Sequence, residues 1–186
     1  MNRLFAYLKF WWHSKNEHGV HSPFVFDLLT KCFYDRHQHS TYQQLSSNDS
    51  KSKFLLRLAA YFKFDSCYVS ETVQPKFKQV LSLNCQISEF KTIQDLIKTD
   101  TKISKTPCLI CLDLNTIETT SISNLFQFCH KDSLILIPSL RSTKTQFKHW
   151  NGLKSQPEVS VSIDTFYWGL LFFRTEQPKE HFTIRL

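Results

Sequence analysis

Glycine is scarce in this chain of 186 residues: there are three, Gly19, Gly152 and Gly169, and none falls between Val20 and Asn151. Glycine supplies positive φ and close backbone approach. Its absence therefore excludes every glycine-dependent phosphate or cofactor loop from the middle of the chain. Long apolar runs are also missing; no stretch approaches the ~20 residues of a membrane span. A secretory pattern is absent, because Lys9 interrupts the first apolar run and no small-residue cleavage site follows. The six cysteines are accordingly expected as reduced thiols of a cytoplasmic protein. No Gly-x-Ser-x-Gly elbow occurs, so the many Ser and His residues define no nucleophilic triad. Clustered basic charge is lacking too. The net charge is +7, but Lys and Arg are scattered and no nucleic-acid motif accompanies them.

What is present is a large apolar inventory, 41% of the chain with 17 Phe and 4 Trp, enough for a sizeable core. The best-patterned stretch is 159–186. Val159, Val161 and Ile163 alternate with Ser160, Ser162 and Asp164, the period of a half-buried strand. After a short break at Asp164–Gly169, Leu170-Leu171-Phe172-Phe173 reads as a strand covered on both faces. Together they predict an antiparallel hairpin, which needs a larger sheet to cover it.

Upstream, residues 3–15 read as a helix whose Leu4, Phe5, Leu8, Trp11 and Trp12 share a broad apolar face. Two uses are open to it: a membrane-surface helix, or packing on its own domain or a partner, which we favour. His18 to Pro23 is a turn, with Ser22 as N-cap and Pro23 at N1 of a helix running to Phe33. His18 and His21 have no other ligand at metal spacing, so no metal site is expected. The polar residues 36–50 read as a loop. A helix follows at 51–63, with Phe54, Leu55, Leu58, Ala59 and Phe62 inward.

Cys67–Val69 and Val80–Leu83 then read as short strands, Ile93–Ile97 as a helical segment, Cys108–Leu114 as a buried strand and 119–130 as a helix. Ser133–Ile137 reads as a strand stopped by Pro138, and 144–154 as a helix with Phe147 and Trp150 inward. Strand alternating with helix predicts a three-layer α/β sheet, mostly parallel. Only Glu71–Gln79 separates the first two expected strands, and Pro75 discourages a helix there. Cys108 and Cys111 have CxxC spacing, but on a strand residues three apart face opposite sides. They are read as core thiols.

His18–Leu28 (HGVHSPFVFDL), Ile163–Phe173 (IDTFYWGLLFF) and Lys179–Arg185 (KEHFTIR) together resemble a bacterial group of class I S-adenosylmethionine-dependent methyltransferases of the O-methyltransferase type. The resemblance covers both ends of the chain, and the centre in pattern alone. It implies a Rossmann-like sheet of seven strands, mostly parallel, with the last strand antiparallel and the cofactor over the carboxyl ends of the first strands. It divides the chain into an N-terminal helical extension and linker, 1–45, and a methyltransferase-like domain, 46–186. The cofactor half is shortened.

Carried across position by position, Glu71 falls at the family's first glycine, Asn84 at the acid that holds the ribose, and Asp113 at the acid ending the fourth strand, the one catalytic candidate. The family's acidic pair after the fifth strand falls on Pro138-Ser139, and Trp150 matches a tryptophan of the next helix. Lys179, Glu180 and His181 are read as solvated tail residues. The expected protein is a methyltransferase-like one that has lost cofactor binding and acts as a non-catalytic binding or regulatory protein, with a protein partner or self-association and no cofactor. Two alternatives stand beside it: an active methyltransferase whose S-adenosylmethionine lies near Tyr68–Thr72, Asn84 and Asp113, and a basic nucleic-acid or anionic-surface binder.

Overall fold

The structure is a computed structural model and describes residues 3–37, 39–45, 49–83, 87–98, 106–115, 122, 124–126 and 129–186. Its centre is a seven-stranded sheet. In chain order the strands are β1 (Ser66–Val69), β2 (Glu89–Thr92), β3 (Cys108–Cys111), β4 (Leu134–Pro138), β5 (Val161–Asp164), β6 (Trp168–Phe172) and β7 (Glu180–Thr183). Across the sheet they lie in the order β2-β1-β3-β4-β6-β5-β7. Only β6 opposes the rest: it pairs antiparallel with β4 and β5, and the other pairings are parallel. The fold is thus α/β and Rossmann-like, with the expected antiparallel hairpin set into the sheet.

Helices cover both faces. One face packs α2 (Pro23–Leu28), the π turn Leu29–Phe33, α3 (Ser50–Phe62) and α4 (Gln74–Leu81) on Val69, Leu109, Leu136, Ile163 and Leu170. The other packs α5 (Ile93–Lys98), Ile122, Leu125, Phe126 and α6 (Lys144–Lys154) on Ile110, Ile135 and Leu171. The remainder of the helix expected at 119–130 lies mostly outside the described residues. Cys108 and Cys111 belong to opposite faces, as strand geometry requires. Helix starts follow local chemistry: Ser22, Asp49 and Thr143 each accept a backbone N–H of the first turn. The N-terminal helix, α1, spans Arg3–His13. No described helix is long and apolar enough to cross a membrane.

Several expectations need correction. Val80 and Leu81 end α4 and belong to no strand. Pro75 sits in the first turn of that helix, where its missing N–H costs nothing, so the first crossover has its helix after all. The second strand lies farther on, at Glu89–Thr92, and the alignment that put Asn84 after it loses its footing; Asn84 itself lies outside the described residues. Glu180 and His181 are not tail residues but part of β7, an added edge strand following the antiparallel one. β5 is buried on both faces, because Ser162 pairs with His181 and Asp164 with Arg141. The loop expected at 36–50 includes a 3-10 turn, Ser40–Gln44, that buries Tyr42.

Candidate functional site

In an open α/β sheet the ligand crevice lies beyond the carboxyl ends of the strands, where the strand order reverses. Here the reversal falls between β1 and β3. Direct hydrogen bonds span it. The Ser70 N–H donates to the Cys111 carbonyl at 3.0 Å, and the Asp113 N–H donates to Ser70 Oγ at 3.1 Å. Beyond them Thr72 Oγ1 donates to Asp113 Oδ2 at 3.1 Å. The other carboxylate oxygen accepts from Asn115 N and Nδ2, at 3.0 and 2.9 Å. Asp113 therefore caps its own loop and ties it to the turn after β1. Glu71 is exposed in that turn. Residues 70–73 carry side chains at every position, which keeps a ligand from close approach to the backbone there. The Glu71 carboxylate adds a charge that repels an anion.

The open space lies to one side. A cleft of about 680 Å³ is bounded by Thr72 and Val73 of the turn after β1, the starts of α3 and α4, the residues after β4, and the β5–β6 turn. Its floor is apolar: Leu55, Phe77, Val80 and Trp168. Its charged lining groups are Lys51, Lys76 and Arg141, with no carboxylate among the described lining residues. The Lys51 ammonium stands 4.9 Å from the centre of the Tyr167 ring, and Lys76 Nζ lies 3.9 Å from the Asp49 cap. Arg141 is committed elsewhere. It makes a bidentate pair with Asp164, at 2.7 and 2.5 Å, and donates to the Phe166 carbonyl at 3.1 Å. Phe147, Phe166 and Phe10 surround its guanidinium, at 4.4, 4.9 and 5.4 Å. Breaking a buried pair of this kind costs about 3–5 kcal/mol.

Two lining residues hold left-handed backbone without being glycine: Ser139 at φ 54° and Phe166 at φ 71°. Such positions cost about 1–3 kcal/mol and collect at functional sites. Packing enforces them here. The Phe166 N–H donates to Asp164 Oδ1 at 2.8 Å, and its ring meets Tyr7 and Phe10 of α1 edge-on. One residue beyond the turn, Gly169 faces Trp150; a Cβ there would lie 2.8 Å from the indole ring. The match of tryptophan with the Trp-Gly of the hairpin is thus a steric one.

Of the residues picked out by sequence, Asp113 joins the turn after β1, Glu71 lies outside the cleft, and Pro138-Ser139 line it. Lys51, Lys76, Arg141 and Tyr167 were not picked out. A signal existed for the two lysines. Each stands in the first turn of a helix where acids favour the macrodipole, and neither helix has an acid there. Burial pushes the Cys108 thiol up to about 11 and the Cys32 thiol up to about 12, far from the thiolate range. No group of His, Cys, Asp and Glu among the described residues is placed to hold a metal.

No family model matches this chain, and no curated protein matches it. Among solved structures, it is similar to a Klebsiella pneumoniae protein described as a "putative O-methyltransferase", with 9% identity, a TM-score of 0.46, and coverage of 84% of this chain and 92% of that one.

Proposed function

We propose that this chain is a non-catalytic binding protein on a methyltransferase-like fold, one that does not take up S-adenosylmethionine. The observation that carries the reading is the bonded bridge from Ser70 to Asp113 across the point where the strand order reverses. A glycine turn would leave that crevice free of side chains; the Ser70 and Thr72 hydroxyls bonded to Asp113 support the reading that it is obstructed. The remaining cleft has Lys51 and Lys76 on its rim and aromatic rings on its floor. That lining suits an anionic partner group with an apolar body. Titration calorimetry with S-adenosylmethionine and S-adenosylhomocysteine tests the reading. No heat of binding is expected, and micromolar affinity for either compound overturns it.

A second reading, an active methyltransferase with a remodelled pocket, draws support from the cleft's size. About 680 Å³ lies within the range of small-molecule sites. Methyl transfer depends largely on positioning, which a changed loop can supply. Under that reading Asp113→Ala abolishes transfer of a labelled methyl group. Labelling unaffected by the change removes Asp113 from the chemistry.

A further inference from the structure

We propose that α1 docks the protein on an anionic lipid surface, with Leu4, Phe5, Leu8 and Trp12 entering the interfacial layer. The helix is apolar on two sides. One side packs on the body: Phe10 is buried, and Tyr7 and Phe10 meet the Phe166 ring at 5.0 and 5.3 Å. The other side is largely open to solvent. Phe5 is 70% exposed, Leu4 67%, Leu8 56%, Trp11 49% and Trp12 79%. At 3.6 residues per turn these five share an arc of about 120°. Monomeric soluble proteins rarely leave so continuous an apolar patch in water.

Charge decides the occupant. The first acidic residue of the chain is Glu17, so the whole segment before it is acid-free and carries Arg3, Lys9 and Lys15. Lys9 borders the apolar arc on the helical wheel. The Arg185 guanidinium lies 5.2 Å from the Trp11 ring, adding a cation at the other end of the patch. An apolar protein groove gains nothing from cations around the patch, whereas an anionic bilayer accepts both parts. Its acyl boundary takes the Trp, Phe and Leu side chains, and its headgroups take the Lys and Arg. The chain's net charge of +7 acts in the same direction.

The test is flotation of the full chain with vesicles of phosphatidylcholine alone and of phosphatidylcholine mixed with phosphatidylglycerol, followed by tryptophan emission. We expect co-flotation and a blue shift with the mixed vesicles, weakening as salt rises. The exposed double variant L8E/W12E keeps the wild-type circular dichroism and Tm and loses binding by about tenfold or more. Failure of the wild-type chain to bind mixed vesicles at low salt overturns the proposal. So does a dimer in solution, detected by light scattering, that L8E/W12E dissolves; the patch would then be a contact between copies. Neither outcome bears on the cofactor reading, which rests on the Ser70–Asp113 contact beyond β1 and β3.

Discussion

The two ends of the sheet hold their polar groups by different means, short hydrogen-bonded side chains at one and an aromatic-lined ion pair at the other. At the β2–β1–β3 end, the groups beyond the strands bond to one another, Ser70 with Cys111 and Asp113, and Thr72 with Asp113. At the β4–β6–β5 end the Arg141–Asp164 ion pair sits among aromatic rings beside an open cleft. The first end lacks glycine and links its turns through short polar side chains. The second keeps one glycine, Gly169, because Trp150 leaves no room for a Cβ. Gly169 is therefore fixed by sterics, whereas the contact between the turns after β1 and β3 rests on hydrogen bonds.

The sharpest way to break this contrast is Arg141→Ala. It strands the Asp164 carboxylate and removes the guanidinium from three aromatic rings. A loss of about 3–5 kcal/mol is expected in urea unfolding, with the mutant's Tm falling accordingly. A loss below about 1 kcal/mol would mean that the ion pair does not pin the hairpin end. Gly169→Ala comes next. The new methyl group collides with the buried indole of Trp150, and overpacking of that kind costs about 1–3 kcal/mol. The companion change at Gly152, where an added Cβ meets nothing, serves as a control and leaves stability equal or higher.

Ser70→Ala probes the other end. It leaves the Asp113 N–H without its acceptor, for a cost of about 1–2 kcal/mol. If the bridge alone keeps the crevice shut, this variant also gains a calorimetric signal with S-adenosylhomocysteine that the parent lacks. The smallest effect concerns pH. Burial, with help from Lys154 and Lys179, holds the His181 imidazole below its ordinary value, and its Nδ1 lies 2.8 Å from Ser162 Oγ. The folded state thus favours neutral His181. Its contribution is complete above the unfolded value near 6.5 and is lost as pH falls through the lower folded value. His181→Gln is expected to flatten the decline of Tm between about pH 7 and 5.

Reading from sequence succeeded where burial is complete on both faces. CLIC and LILIP are continuous apolar runs, and both are interior strands. It failed where a run was short or a strand lay at an edge. Val80-Leu81-Ser82-Leu83 is too brief to tell a strand from the end of a helix, and Pro75 marked a helix start where it was read as a breaker. The edge strands EFKT and EHFT carry no apolar alternation strong enough to announce them, because each is half exposed. Asp164 looked like an outward polar residue because its partner, Arg141, comes from another turn 23 positions away. The cleft itself had no contiguous motif to show. Lys51, Lys76 and Tyr167 come from two helix starts and a hairpin turn, and only the folded chain joins them.

The edges of the sheet show what the N-terminal segment guards. At one edge, β2 exposes Glu89 and Lys91, whose charges pair at 2.5 Å and discourage a further strand from adding. At the other, β7 is capped by the segment after α1: the Lys15 N–H donates to the Thr183 carbonyl at 2.8 Å, and the Arg185 N–H donates to the Lys15 carbonyl at 3.3 Å. Lifting residues 3–16 from the body would bare those groups on the outer side of β7, and with them a template for pairing with another copy. The helix that presents the apolar patch is thus tethered to an edge strand that it helps to cover, and a chain lacking the first 16 residues should aggregate sooner on warming than the full one.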